Sequence, residues 1–268
     1  DTLRVKEPNA TVSKLHMLSS IKNAERAPAL QKHKGRLVCL GNNIWRISDG
    51  KQQYPTGATI GLRGDVASLS EFRTVAFHSL KRDKTGKLFD FMSADVGNAY
   101  LNAVWPEEMP SHYFEVDRRL YDILPADLRQ KVDMHGGPGK ALIRMDRCLY
   151  GHPVAGHLWI KLCTEFLLSI GWETVPGTSG LFRKGESLVC VYVDDLAAAG
   201  PSTELAELWK GFGERFELRE VGECTEFLGI NVKRTIRSGM KASVVFDQKE
   251  YTNDLIAEYK TPFPTAKI

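Results

Sequence analysis

The stretch Leu188–Ala199, with the sequence LVCVYVDDLAAA, places two adjacent carboxylates between two apolar runs. The first run is rich in β-branched residues, which is typical of a buried strand, and Gly200-Pro201 ends the second run. The simplest structure is a β-hairpin with Asp194 and Asp195 at its tight turn. An ionised carboxylate is costly to bury alone, so the pair must be solvated, paired with cations or bound to metal. An acidic surface turn is the plainer alternative, because Asp is a common turn residue.

The composition is that of a soluble globular protein, and 268 residues suffice for one large domain or two to three subdomains. No apolar run approaches the roughly 18 residues that span a bilayer, and no signal peptide opens the chain, so no membrane partner is expected. The chain does not begin with Met, which suggests a fragment or a piece of a polyprotein. A net charge of +3 is too small to indicate nucleic-acid binding, although the N-terminal region is basic.

The cysteines argue against a disulfide framework and against a zinc site. They are odd in number, scattered through apolar segments, and form no CxxC pair. This pattern favours reduced core thiols in an intracellular protein. The five are Cys39, Cys148, Cys163, Cys190 and Cys224.

Strands and helices are expected along most of the chain, but residues 1–31 show no persistent period and are expected to form a tail or an incomplete start. Ser68 and Glu71 have the spacing of a capping box, and Ser202 is expected to cap a later helix. The expected elements are strands at 34–40 and 44–47 around a turn at Gly41-Asn42-Asn43, a helix after Ser68, a strand at 88–94, a helix at 155–170, a strand at 181–183, the hairpin, a helix at 202–216, strands at 227–234 and 242–246 around Ser238-Gly239, and a helix at 249–259.

From residue 88 onward the order strand, helix, strand, strand, helix, strand predicts the split βαβ plan, an α+β fold. In this plan helices cover one face of the sheet and leave the other face free. Asp95 follows the 88–94 strand and can therefore lie beside the hairpin that carries Asp194 and Asp195. Three carboxylates on neighbouring strand ends could hold two divalent cations roughly 3.5–4 Å apart, and Mg²⁺ prefers such oxygen ligands.

At these residues the chain resembles a known family, the reverse transcriptases of Ty1/copia-type retrotransposons. Tyr192–Asp195 is similar to the YxDD hairpin of that family, and Asp95–Asn102 (DVGNAYLN) is similar to its other catalytic segment, DVxNAFLN. Further resemblances are Lys34–Val38 to KARLV, Cys148–Gly151 to the start of LYGLKQ, Trp159 to the Trp of the helix in that motif, Phe227–Ile230 to FLGI, and Gln248–Leu255 to QxxYxxDLL. The ordered set covers about residues 34 to 262.

The resemblance implies an RNA-directed DNA polymerase that adds deoxynucleotides to a primer 3′-hydroxyl on an RNA or DNA template, with two Mg²⁺ (or Mn²⁺) ions as cofactors. It also implies a right-hand polymerase fold with a ferredoxin-like (split βαβ) palm, a fingers insertion and a truncated thumb. The expected domains are a tail at 1–31, fingers at 32–87 and 104–147, a catalytic palm at 88–103 and 148–240, and the start of a thumb or connection at 241–268.

The resemblance also assigns roles to individual residues. Asp95, Asp194 and Asp195 would be the catalytic and metal-binding carboxylates, with Asp195 contributing less directly because neighbouring side chains diverge on a strand. Tyr100 would be the steric gate that excludes a ribose 2′-hydroxyl, and the alternative is a core tyrosine. Gly151 would let the backbone approach the nucleotide, and the alternative is a plain turn glycine.

Two further pairs of residues receive substrate roles from the resemblance. Lys34 and Arg36 would hold triphosphate oxygens of the incoming nucleotide, or else form a solvated basic face. Leu228 and Gly229 would support the primer strand.

One segment departs from the family pattern and leaves alternatives open. Where the family continues LYG with Leu-Lys-Gln, this chain has His152-Pro153-Val154, which removes two polar side chains and stiffens the loop. A catalytically dead retroelement remnant that binds nucleic acid is therefore the competing hypothesis, and another ferredoxin-like nucleotidyl cyclase or transferase is a third. RNase H and integrase segments of the polyprotein are expected to be absent, and the expected location is a cytoplasmic virus-like particle or the nucleus.

Overall fold

The computed structural model describes residues 5–22, 32–52, 66–236 and 242–260. Its strands are β1 (Thr11–Lys22), β2 (Lys32–Arg46), β3 (Asp90–Val96), β4 (His112–Glu115), β5 (Leu142–Arg144), β6 (Glu173–Thr174), β7 (Leu181–Lys184), β8 (Ser187–Tyr192), β9 (Asp195–Gly200), β10 (Leu218–Glu223), β11 (Glu226–Phe227), β12 (Ile230–Ile236) and β13 (Ala242–Asp247). Its helices are α1 (Leu69–His78), α2 (Ala99–Asn102), α3 (Arg118–Ile123), α4 (Ala126–Met134), α5 (Ala155–Ser169), α6 (Ser202–Arg215) and α7 (Lys249–Lys260). The expected mixture of α and β structure is confirmed.

The chain divides into two compact units. The first unit comprises Asp1–Gly64 and Ala99–Leu162, and the second comprises Asp65–Asn98 and Cys163–Ile268. Among the described residues, the first unit carries a sheet in the order β2-β1-β4-β5. The second unit carries a six-stranded sheet in the order β10-β3-β9-β8-β7-β6 and a smaller sheet in the order β11-β12-β13.

In the first unit, β1 pairs antiparallel with β2 along almost its whole length and parallel with β4. The expectation of a tail over residues 1–31 is therefore wrong for Thr11–Lys22. The strand escaped detection because its exposed and buried positions do not follow residue polarity. The polar Ser13 is fully buried, whereas Met17 and Leu18 are about half exposed.

The turn expected at Gly41-Asn42-Asn43 is also wrong, because β2 continues through these residues, although its pairing with β1 is irregular there: Ser13 pairs with Ile44, whereas Leu15 pairs with Cys39. Gly41 is needed there for a tertiary reason. A Cβ atom at Gly41 would lie only 2.0 Å from the carbonyl oxygen of Gly151 and 2.9 Å from Pro153 Cδ. The glycine allows a loop to pack directly on the strand backbone, which local sequence does not reveal.

In the second unit, the six-stranded sheet is antiparallel throughout. One face packs under α1 and the three-stranded sheet, in a core that includes Phe72, Phe91, Ala197, Ala199 and Phe227. On the other face, Met92 Sδ accepts a hydrogen bond from Trp209 Nε1 of α6 (3.3 Å). The expectation that one face stays free is therefore wrong for most of this sheet, because α1 and β11–β13 add a layer that the split βαβ plan does not contain.

The capping box of α1 is confirmed, since the Ser68 hydroxyl accepts from Glu71 N–H and the Glu71 carboxylate accepts from Ser68 N–H. The cap predicted at Ser202 is wrong, because Pro201 is the N-cap of α6 and the Ser202 hydroxyl accepts from Lys87 Nζ (2.7 Å). All five cysteines are free and buried, as expected.

Two further expectations concern the end of the chain and the membrane. The expected Ser238-Gly239 connection lies outside the described residues. Within the described ranges, none of the helices has the length and hydropathy that a membrane crossing requires.

Candidate active site

The predicted hairpin of the second unit is present, and its turn is formed by Val193 and Asp194. Tyr192 on β8 pairs with Asp195 on β9, so Asp195 is the first residue of β9 rather than a turn residue. Val193 has a φ of +55°, a left-handed conformation that is unfavourable for a β-branched side chain. Backbone strain of this kind often occurs at functional sites.

Asp95 lies directly across from Asp195. The two residues are register partners between β3 and β9, and directly opposed residues of an antiparallel pair project from the same face of the sheet. Val96 N–H donates to the carbonyl oxygen of Asp194 (2.8 Å), which ties the hairpin turn to the end of β3. The structure thus brings Asp95, Asp194 and Asp195 together at one end of the sheet, and all three are partly buried.

The three carboxylates affect one another. Burial is the main cause that raises the pKa of Asp195 to about 6, and the charges of Asp194 and Asp95 raise it further, with smaller contributions from Glu226 and Glu220. This concentration of negative charge disfavours ionisation in the absence of a cation. Asp195 is expected to contribute less than Asp194 because neighbouring side chains diverge on a strand, yet Asp195 is the residue that lies directly opposite Asp95. The metal-binding roles of all three residues stay predictions.

The donors at this end of the sheet suit a hard divalent cation. Asp95, Asp194 and Asp195 offer carboxylate oxygens, and a cation would relieve the repulsion that adds to the effect of burial in raising the pKa of Asp195. Among the described residues, no group of three or more His, Cys, Asp or Glu side chains is placed so that it could hold a metal ion by itself. Mg²⁺ is commonly held by one or two protein carboxylates together with substrate phosphates, so this arrangement fits a shared rather than an all-protein site.

The residues predicted to bind nucleotide lie in the first unit. Tyr100 on α2 stacks on Tyr150, with ring centroids 4.5 Å apart, and its hydroxyl faces Gly156 at the start of α5. The guanidinium of Arg36 lies 5.9 Å from the centroid of the Tyr150 ring. Lys34 and Arg36 are exposed and two residues apart on β2, so both project from one face of that strand.

Gly151 is explained by packing within the first unit. Its φ is +86°, and a Cβ atom there would lie 2.2 Å from the carbonyl oxygen of Cys39. Cys39 N–H also donates to the carbonyl oxygen of Tyr150 (2.7 Å). The backbone of β2 thus requires a glycine at position 151, and its predicted approach to a nucleotide stays a prediction.

The segment that departs from the family pattern is folded into the first unit. His152 is buried and lies edge-on to Trp105 and His112, with ring centroids 5.0 and 4.6 Å apart. His112 is completely buried and hydrogen bonds through its two ring nitrogens to Thr11 and Ser13. Burial lowers the pKa of His112 to about 3 and that of His152 to about 4. The unusual His152 is thus a neutral core residue.

Leu228 and Gly229 form the two-residue turn between β11 and β12, since Phe227 pairs with Ile230. Both have positive φ, +52° and +72°, which matches a type I′ turn. Leucine is unusual in this conformation, and the Leu228 side chain is 38% exposed. An exposed, conformationally unfavourable leucine at a turn tip is consistent with contact to another molecule, although the primer-binding role stays a prediction.

Sequence reasoning missed the role of Glu71 beyond its cap. This carboxylate is buried and also accepts a hydrogen bond from Ser179 N–H. Burial acts to raise its pKa, but the hydrogen bonds from backbone N–H groups leave the pKa lowered overall. The carbonyl oxygen of Gly180 accepts a hydrogen bond from Val191 N–H (2.9 Å), and the carbonyl oxygen of Val191 accepts one from Ala67 N–H (2.8 Å). Glu71 therefore helps to anchor the end of β8, next to the hairpin.

The sequence of the chain is similar to that of known reverse transcriptases and retrotransposon proteins. A family model described as "Reverse transcriptase (RNA-dependent DNA polymerase)" matches residues 93–262, more than half of the chain. A Ty5-1 transposon protein of Saccharomyces cerevisiae is 28% identical over 101 residues, which are 36% of this chain and 33% of that protein. A truncated Ty1-A Gag-Pol polyprotein of the same organism is 31% identical over 78 residues, 29% of this chain and 6% of that protein. The chain thus spans a third or less of these relatives.

Among solved structures, the chain is similar to telomerase from Candida albicans in complex with a fragment of telomeric RNA. The match has 11% sequence identity and a TM-score of 0.44, and it covers 90% of this chain and 47% of that chain.

Proposed function

The chain belongs to the reverse transcriptase (RNA-dependent DNA polymerase) family, and we propose that it extends a primer 3′-hydroxyl with deoxynucleotides on an RNA or DNA template. The resemblance to Ty1/copia-type retrotransposon enzymes is confirmed by the family match and by the Ty relatives. One observation carries the proposal, namely the convergence of Asp95, Asp194 and Asp195 at one end of the sheet. Three carboxylates in this arrangement are expected of a phosphoryl-transfer site.

Enzymes of this family use divalent metal ions. Here Asp95, Asp194 and Asp195 would hold two Mg²⁺ or Mn²⁺ ions, and bound ions of this kind activate the attacking hydroxyl and stabilise the leaving pyrophosphate. The chain contributes rigid placement of the carboxylates. Asp95 and Asp195 are fixed by strand pairing, and Asp194 is fixed by the hydrogen bond from Val96 N–H to its carbonyl oxygen.

The two units support an assignment of polymerase subdomains. In the second unit, the order β10-β3-β9-β8 is the order expected of a split βαβ palm, with α6 as one connecting helix and α5, which begins in the first unit and ends in the second, as the other. We assign this unit to the palm, with α7 as the start of a thumb, and the first unit to the fingers. This division moves α1, at Leu69–His78, from the expected fingers to the palm unit, and it moves residues 99–103 and 148–162 from the expected palm to the first unit.

The nucleotide-binding assignments have unequal support. The exposed cations Lys34 and Arg36 suit the triphosphate of an incoming deoxynucleotide, and Tyr100 suits the steric gate because it is partly exposed and backed by Tyr150. Gly151 has weaker support, because the packing of Cys39 already accounts for it. On the primer side, the exposed Leu228 of the β11–β12 turn supports contact with the primer strand.

A catalytically dead remnant that binds nucleic acid is the second candidate function. The observation that favours it is the altered loop, since Pro153 and Val154 stand where the family pattern has Lys and Gln. Val154 is buried within the protein, so it offers no polar contact to a substrate.

Primer extension distinguishes the two functions. The assay uses an oligo-dT primer on poly-rA with dTTP and either Mg²⁺ or Mn²⁺, and it compares the wild type, Asp194→Asn and the control Asp122→Asn. Asp122 is exposed on α3, where it pairs with Arg118. We expect product from the wild type and Asp122→Asn and none from Asp194→Asn. A wild type that binds the duplex but makes no product would establish the remnant, and equal activity in all three would refute the metal assignment.

A further inference from the structure

Four side chains from four adjacent strands form one row at the end of the six-stranded sheet. Arg219 on β10 is the register partner of Asp95 on β3, Asp95 is the partner of Asp195 on β9, and Asp195 is the partner of Tyr192 on β8. Register partners in antiparallel strands project from the same face. An arginine therefore occupies the same row as two of the three clustered aspartates, immediately beside Asp95.

A β-bulge in β10 creates this neighbour. Farther along the strand Gly222 pairs with Ser93 and Glu223 pairs with Met92, but the register shifts by one residue between Arg219 and Gly222. If the later register continued, Glu220 would oppose Asp95. Arg219 would then oppose Val96 and project from the opposite face, because a one-residue slip reverses the faces. The bulge replaces a like-charge neighbour of Asp95 with a cation.

The bulge holds one residue of β10 in an unfavourable backbone conformation. Glu220 has a φ of +53°, in the left-handed region that non-glycine residues seldom adopt. Bulges are frequent next to active sites, where they redirect a side chain. Here the redirected side chain is Arg219.

The surroundings of Arg219 hold its guanidinium in a defined place. Its Nε and Nη2 donate to Glu217 Oε1 at 2.9 and 2.8 Å, and the Arg219 side chain remains 48% exposed. Gly97, two residues after Asp95, makes room for the pair. A Cβ atom at Gly97 would lie 2.7 Å from Glu217 Oε2 and 3.1 Å from Arg219 Nε. An exposed ion pair between residues two apart contributes little to stability, so stability alone does not explain this arrangement.

We propose that Arg219 binds a backbone phosphate of the primer strand next to the aspartates. The inference rests on the proposed function, because it assumes that a primer terminus is brought to Asp95, Asp194 and Asp195. A polyanion approaching three carboxylates is repelled, and a cation in the same row offsets this repulsion. The planar guanidinium fork suits a phosphate, and phosphate contacts of this kind position a duplex without reading its sequence.

The primer strand, rather than the incoming nucleotide, is favoured by the position of Arg219 in the chain. β10 is followed within three residues by β11, which leads into the Leu228-Gly229 turn proposed to contact the primer.

The test measures binding of a fluorescein-labelled DNA primer annealed to an RNA template, without deoxynucleotide, as a function of salt. Arg219→Gln should weaken the duplex Kd about 5- to 20-fold at low salt and reduce the slope of log Kd against log salt by about 1, the effect of losing one phosphate contact. Arg219→Lys should keep the salt slope, because it keeps the charge, and should lose part of the affinity, because it loses the fork.

Arg183→Gln is the matched control. Arg183 on β7 is also exposed and also donates through Nε and Nη2 to a glutamate, Glu173, at 3.2 and 3.0 Å. It lies on a strand two positions from β9 in the sheet order, away from the aspartate row. This variant should bind the duplex with the wild-type Kd and salt slope, and the melting temperatures of all variants should match that of the wild type.

Three results would overturn the inference. The first is an Arg219→Gln protein that matches Arg183→Gln in Kd and in salt slope while the wild type extends primers, which leaves the proposed function intact. The second is an unchanged duplex Kd with a raised KM for deoxynucleotide, which moves the phosphate contact to the incoming nucleotide. The third is a wild type that neither binds the duplex nor extends it, in which case the proposed function fails as well.

Discussion

Asp95 and Asp195 are direct cross-strand partners at the end of β3 and β9, and Asp194 precedes Asp195 in the hairpin turn. Strand pairing, rather than a flexible loop, therefore sets the separation of two of the three acidic groups. Burial raises the pKa of Asp195, and the neighbouring charges of Asp194 and Asp95 raise it further.

Replacing Asp195 should stabilise the protein in the absence of metal. The folded-state pKa of about 6 lies above the usual aspartate value of 3.8, so the contribution of Asp195 to stability is most favourable below about pH 4 and is lost as the pH rises through about 6. The shift corresponds to about 3 kcal/mol, and solvent screening reduces the expected gain for Asp195→Asn to about 1–2 kcal/mol at pH 7. Urea denaturation in EDTA at pH 7 and pH 4 measures the difference, which should shrink at pH 4.

Divalent cations should stabilise the wild type more than the aspartate variants. Mg²⁺ relieves the repulsion among the aspartates only when the carboxylates are present, so it should raise the melting temperature of the wild type more than that of Asp195→Asn or Asp95→Asn. Differential scanning fluorimetry with a Mg²⁺ titration, and Na⁺ at matched ionic strength as the control, measures the shift. Equal shifts in the wild type and both variants would contradict a metal site at these residues.

The buried histidines should make the first unit sensitive to acid. Burial depresses the folded-state pKa of His112 to about 3 and of His152 to about 4, below the usual histidine value of 6.5. The contribution of these two neutral histidines to the free energy of unfolding is therefore fully present above about pH 6.5. It is lost as the pH falls toward 4, by about 2 kcal/mol per histidine between pH 6.5 and 5. His152→Leu should remove about half of this loss in urea denaturation, while the exposed-site control His16→Leu should leave it unchanged.

A substitution in the β11–β12 turn should raise stability and weaken primer binding at the same time. Leu228→Asn should stabilise the protein by about 0.5–1 kcal/mol, because asparagine tolerates positive φ in a type I′ turn better than leucine does. The same change removes an exposed apolar side chain and should weaken primer binding if that side chain supports the primer. Denaturation and duplex-binding measurements on Leu228→Asn and Leu228→Ala check both effects, and unchanged binding in both variants would refute the primer role.

Glu71 should be important for stability although it lies outside the acidic cluster. Glu71→Gln replaces an acceptor of backbone N–H groups from Ser68 and Ser179 with an amide that presents an NH₂ to one of them. Leaving a buried donor without an acceptor costs about 1–3 kcal/mol. The exposed Glu214→Gln, on α6, is the control. A Glu71→Gln protein as stable as that control in urea would show that the anchor of β8 does not depend on this carboxylate.

Local signals in the sequence predicted the hairpin, the capping box of α1 and the approach of Asp95 to Asp194 and Asp195. The errors occurred where tertiary contacts override local pattern. Gly41 is of a residue type common in turns, yet it is needed because the Gly151 backbone packs directly against it. The sequence of β1 does not show the polarity pattern of a strand, because the polar Ser13 is buried. The bulge at Glu220 follows from strand pairing alone, so the place of Arg219 beside Asp95 had no sequence signal.

Single-turnover incorporation of one deoxynucleotide into a preformed primer–template tests the central claim most directly. The measurement compares the wild type with Asp95→Asn in saturating Mg²⁺, and duplex Kd is determined for both proteins. The arrangement of the three aspartates predicts a loss of at least about 1,000-fold in the incorporation rate, equivalent to about 4 kcal/mol, with duplex binding retained. An Asp95→Asn protein that incorporates nucleotide within about 10-fold of the wild-type rate would contradict the assignment of these aspartates as the polymerase site.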